Sequence, residues 1–105
     1  MTESLSASFE RMAREFLEAH LSLRHEWREV PSRWWGPRKD LVFESPRAGV
    51  PSVFASIRDG QITVGTNEDG EDFERFGREL PELEVAQLAF ARLVQLLREG
   101  GYFDA

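Results

Sequence analysis

The chain has 105 residues, of which 41% are hydrophobic and 30% charged, with no cysteine and a formal net charge of −6. That length holds a single domain, residues 1–105; the hydrophobic share is too high for a disordered chain, and the lack of cysteine excludes disulfides and thiolate metal sites and fits the cytoplasm best. Residues 1–58 hold nine Arg/Lys against eight Asp/Glu (+1) and residues 59–105 hold four against eleven (−7), a split that makes nucleic acid a poor partner for the second half and a basic protein a good one, solubility being the plainer reading of the same charge.

The N-terminal run MTESLSASFERMAREF contains acids and no apolar core, so no signal peptide is expected. Residues 4–23 are predicted to form a helix: Leu5, Phe9, Met12, Phe16, Ala19 and Leu23 recur at steps of three and four, and Glu10, Arg14 and Glu18 form a charged ladder on the opposite side. Thr2 or Ser4 is placed to cap its start. From residue 24 the period changes. HEWREV (25–30) alternates and reads as a first strand or a strand-like lead-in. DLVFES (40–45), SVFASIR (52–58) and QITVGT (61–66) are predicted strands bounded by Pro or Gly. Asp59-Gly60 between two alternating runs is a type I′ hairpin signal. Residues 81–99 form the second predicted helix, begun by Pro81 and stopped by Gly100-Gly101. Leu83, Ala86, Phe90, Leu93, Val94 and Leu97 give it a broad apolar face, and Tyr102 and Phe103 are expected to fold back on its last turn. The stretch 83–97 is broken by Glu84, Gln87, Arg92 and Gln95, too short and polar to span a bilayer, so no membrane contact is expected. The order implies an α+β two-layer sandwich: N-terminal helix, three- to four-stranded antiparallel meander, C-terminal helix.

Two stretches are candidate binding elements. VGTNEDGEDFERFG (64–77) holds five acids, Glu68, Asp69, Glu71, Asp72 and Glu74. Setting Gly70 at the glycine position of an EF-hand loop places Gly65 at the first ligand and Phe76 at the bidentate glutamate, so that loop is rejected. A general-acid pair needs a buried carboxylate, and a Gly-containing loop offers none. What remains is a solvated loop pinned by Phe73 and Phe76, or an acidic recognition surface of Asp69, Glu71, Asp72 and Glu74. SRWWGPRK (32–39) sets Trp34 beside Trp35, which in extended chain point to opposite faces, so one can be core while the other serves a contact with Arg33, Arg38 or Lys39 nearby. His20 and His25 are five apart, the wrong spacing for a helical metal pair. No nucleophile elbow or phosphate-cradling loop is present in the sequence. An enzyme is not expected, and neither a cofactor nor a metal.

The run ITVGTNEDGEDFERFG together with the helix EVAQLAFARLVQLLREGGYF resembles small bacterial immunity-type proteins of polymorphic toxin systems, over the second half of the chain. The resemblance implies a non-catalytic protein that neutralises a secreted toxin by steric and electrostatic masking. Asp69, Glu71, Asp72 and Glu74 would steer a basic toxin, and Trp34 or Trp35 would anchor it. Two other classes fit a small acidic α+β chain: a secretion-chaperone-like dimer with exposed apolar grooves, and a small ligand-binding or enzymatic domain with a pocket between helices and sheet.

Overall fold

The fold is described from a computed structural model, and the residues described are 4–31, 37–58, 60–66, 73–77 and 81–104. Helix α1 covers Leu5–Ala19. Strands β1 (His25–Val30), β2 (Arg38–Phe43), β3 (Val53–Arg58), β4 (Gln61–Thr66) and β5 (Phe73–Phe76) follow, then helix α2 (Glu82–Glu99) and a closing 3₁₀ turn, Tyr102–Asp104. The five strands lie in the order of the chain, each antiparallel to the next. The architecture is the expected helix, meander and helix, with five strands where three to four were predicted.

Strand β5 is the addition. Its FERF sequence is four residues long with a charged centre, too short to register as an alternating run, and charge is how proteins blunt an edge strand. It pairs with β4 through Ile62↔Phe76, Thr63↔Arg75 and Val64↔Glu74, which sets Phe76 half-buried against the core. The anchoring role expected of Phe76 is therefore met within a strand. HEWREV forms β1, paired over its whole length from His25↔Phe43 to Val30↔Arg38.

One face of the sheet is apolar. Leu41 and Phe43, Val53, Ala55 and Ile57, and Ile62 and Val64 point inward from β2, β3 and β4, while Phe54, Ser56 and Arg58 alternate outward. Both helices cover the inward row, with α2 lying over β3, β4 and β5. The inward row of α1 is Leu5, Phe9, Ala13 and Leu17, with Met12 and Phe16 flanking it, so the helix is turned slightly from the predicted stripe and Ala19 is exposed. Ser4 caps it, its Oγ accepting from the Ala7 amide at 3.2 Å. The helix ends at Ala19 and not at 23. His20 leaves helical geometry, its Nδ1 lies 3.0 Å from the Phe16 carbonyl, and the Leu23 amide donates to the His20 carbonyl in a turn. That turn returns Leu23 to the core. On α2, Ala86, Ala89, Leu93 and Leu97 are fully buried, but Leu83, placed on the inner side by the sequence pattern, is half exposed, as is Leu88. The flat row of alanines is what contacts the other layer, and the leucines lie at its margins.

The two glycines after α2 serve separate needs. Gly101 takes φ +73°, the left-handed conformation that closes the helix, and its amide donates to the Arg98 carbonyl. At Gly100 a Cβ would fall 2.8 Å from the Tyr102 ring, so the glycine lets that ring lie against the helix end. Gly60 takes φ +80° in the β3–β4 hairpin, as the turn signal required; Asp59 lies outside the described residues. No described helix is long and apolar enough to cross a membrane.

Candidate functional site

The meander fixes where each candidate segment leaves the sheet. Residues 67–72 join β4 to β5 at the end of the sheet defined by the pair Val53↔Thr66. Residues 32–36 join β1 to β2 at the other end, beyond Val30↔Arg38. Asp69, Glu71, Asp72, Trp34 and Trp35 themselves lie outside the described residues. Their attachment points are separated by five residue steps along the strands, about 17 Å, and by three strand spacings across, about 14 Å. The two candidate elements are not drawn from one end of the fold.

Glu74, the remaining candidate, sits in β5. It is 53% exposed, and its Oε1 lies 3.2 Å from Nε of Arg92 on α2. Its carboxylate is thus already matched by a cation of this chain. An exposed pair of this kind contributes about 0–1 kcal/mol to stability. Its effect here is to lower the net charge that Glu74 presents outward.

The opposite end of the sheet is basic. A concave surface of about 650 Å³ opens where β1, β2 and β3 end against the first turns of α1. On its inner side Glu10 accepts hydrogen bonds from Lys39 at 3.1 Å and from Arg14 at 2.7 Å. Arg14 also lies over the ring of Trp27 in β1, 4.7 Å from its centre. On the outer side Arg38 Nε and Asp40 Oδ1 lie 2.9 Å apart, both closed off from solvent, yet not aligned for a hydrogen bond. The sequence pattern placed Glu10 and Arg14 on a plain outer ladder. It had no means of seeing that Lys39, 29 residues on, reaches the same carboxylate.

Burial raises the Glu10 carboxyl, but the hydrogen bonds from Arg14 and Lys39 outweigh it and hold the group below its ordinary value of 4.5. A carboxyl depressed in the folded state contributes stability that is present above the unfolded value and lost as pH falls through the folded one. Denaturation midpoints measured from pH 7 to pH 3 are expected to fall less steeply below pH 4.5 in Glu10→Gln than in the parent chain. An unchanged acid limb would show that the Arg14–Glu10–Lys39 network does not act in solution.

The chain matches no family model, no curated protein and no solved structure. The chemistry of its surface is therefore the ground for assigning it a role. Among the described residues no group of three His, Asp or Glu is gathered to hold a metal ion. His20 is engaged with the Phe16 ring, at 4.3 Å between centres, and with Phe103, at 5.4 Å. His25 lies with its Nδ1 3.3 Å from the Leu23 carbonyl. Each ring thus has a local packing role at one end of the sheet.

Proposed function

We propose that this chain is a non-catalytic binding protein acting in the cytoplasm, which neutralises a basic partner of the toxin class through its acidic β4–β5 connection. The observation that carries the reading is the placement of charge on the meander. Four carboxylates, Glu68, Asp69, Glu71 and Asp72, fall in the six residues joining β4 to the edge strand β5. The cations Arg38, Lys39 and Arg58 gather at the other end of the sheet, together with Glu10 and Glu29. The ends are about 17 Å apart, more than the Debye length of about 8–10 Å at physiological salt, so an approaching protein meets the acidic end largely unscreened by the basic one. Clustered charge of one sign raises association rates with a partner of the other sign.

Glu74 contributes less than its neighbours, because Arg92 offsets it. Trp34 or Trp35 supplies the apolar anchor if the contact extends across the sheet. The span from one attachment point to the other is about 22 Å, within an interface that buries about 800 Å² per partner. The resemblance of the second half to immunity-type proteins supports the same reading.

The test reverses three of the four carboxylates of the connection, Asp69→Lys, Glu71→Lys and Asp72→Lys together, and leaves Glu74 in place so that its pair with Arg92 is kept. Partner association, measured by surface capture at 50 mM and 300 mM salt, is expected to slow about tenfold or more at low salt, with a flattened salt dependence and an unchanged melting temperature. Equal affinity and equal salt dependence in the reversed variant would remove the acidic connection from the contact.

A further inference from the structure

The basic end of the sheet carries a second site, independent of the acidic connection. Continuing the β2–β3 register from Asp40↔Ser56 and Lys39↔Ile57 by one residue sets Arg38 opposite Arg58. Both side chains lie on the sheet face that no described element covers. Like charges directly opposite on neighbouring strands repel. Asp40 offsets Arg38 from within the chain, with the misaligned 2.9 Å contact described above. Arg58 has no carboxylate partner among the described residues.

The charge at this concavity can be counted. Arg38, Lys39 and Arg58 line it with Glu10 and Glu29, and Arg14 and Asp40 stand directly behind as the partners of Glu10 and Arg38. Among the described residues, four cations stand against three carboxylates and leave one positive charge. Glu10 is saturated by Arg14 and Lys39, and Glu29 lies across from Lys39 in the β1–β2 register, so the excess falls on Arg58. Apart from Ser6, the rest of the described wall is apolar, made by Val30, Pro31, Pro37 and Ile57. A volume of about 650 Å³ is that of a small-ligand site, and a guanidinium above apolar walls is the arrangement that orients a carboxylate.

We propose that this concavity binds a carboxylate carried on an apolar body, with Arg58 as the principal donor and Arg38 beside it. The probe is octanoate. Octylamine, with the same body and the opposite charge, and inorganic phosphate, without the body, are its controls. Titration of the full chain followed by amide NMR is expected to show saturable shifts at Val30, Arg38, Ile57 and Arg58 with octanoate and none with either control. Arg58→Gln is expected to weaken octanoate about tenfold or more, and Arg58→Lys to weaken it less, both with an unchanged melting temperature since Arg58 lies on the outer row. The triple variant Asp69→Lys, Glu71→Lys, Asp72→Lys is expected to bind octanoate as the parent does, which separates this site from the proposed protein contact. An apolar tetrapeptide with a free C-terminus, set against its amide, assigns the source: tighter binding than octanoate that is lost on amidation identifies a peptide terminus, and weaker binding a free small acid. Octylamine binding as well as octanoate, or Arg58→Gln binding it undiminished, would overturn the proposal.

Discussion

Phe9→Ala is expected to lower the unfolding free energy by about 3–5 kcal/mol, seen as a fall in the urea midpoint with little change in slope. Phe9 is wholly buried and meets the Phe90 ring edge-on at 6.4 Å, and Phe90 meets Phe16 in the same way at 5.5 Å. These rings join α1 to α2 over the centre of the sheet. Truncation removes the apolar contact of one ring and leaves a cavity between two helices, each of which is held by other contacts and cannot close over the gap. Against a typical total of about 5–15 kcal/mol, the loss removes a large share of stability. Leu21→Ala is the control: Leu21 is 87% exposed in the turn after α1, and its loss is expected to stay within about 0.5 kcal/mol. A small effect at Phe9, or a large one at Leu21, would contradict the packing described.

Tyr102→Phe is expected to cost about 1–3 kcal/mol although it removes a single oxygen. The Tyr102 hydroxyl donates to the Pro51 carbonyl at 2.8 Å and accepts from the Val53 amide at 3.2 Å. Burial and the apolar surroundings raise its pKa, so the phenol remains protonated and able to donate at neutral pH. It closes a link of 49 residues between the C-terminal turn and the first residue of β3. Removing the hydroxyl strands a buried N–H and takes a donor from a part-buried C=O, which costs more than the bond itself is worth. Tyr102→Ala, which also empties a site only 4% exposed, is expected to cost more still. Hydrogen exchange reads the same contact locally: the Val53 amide should exchange faster in Tyr102→Phe relative to the Ile62 amide. Equal protection of Val53 in both proteins would show that this amide is held by something else.

The parts of the fold that were legible in the sequence are those whose pattern is local. QITVGT forms β4 over its full predicted length, and α2 begins one residue after the predicted start and ends where predicted. The hairpin glycine and the helix-ending glycine pair both behave as their backbone chemistry requires. The misses each have a non-local cause. FERF becomes a strand because Phe76 finds Ile62 across the sheet, a contact that four residues with a charged centre do not announce. Leu23 continues the apolar spacing of α1, yet the helix ends before it, because a turn serves the same burial and His20 is placed against the Phe16 carbonyl. Leu83 looks inward in the apolar spacing of α2, but Ala86 and Ala89 give the closer approach to the sheet and leave Leu83 and Leu88 at the rim.

The candidate site divides in the same way. The acidity of residues 68–72 is visible in composition, and the meander adds its place at a sheet end beside an edge strand. The basic end was not visible, since Arg38 opposes Arg58 only through the β2–β3 register, and Glu10 meets Lys39 only when α1 lies over the sheet. Trp27, which the doublet at 34 and 35 overshadows in the sequence, is the tryptophan whose partner is seen: it lies under Arg14 on the first strand.

Whether the acidic connection holds a basic partner is decided by capturing partners from the native host's lysate at low and high salt, using the parent chain and the Asp69→Lys, Glu71→Lys, Asp72→Lys variant side by side, read by mass spectrometry. One dominant basic protein that survives moderate salt on the parent chain and is lost from the variant is the expected result. The same protein retained equally by both, or many weak partners that all wash off at modest salt, would contradict it.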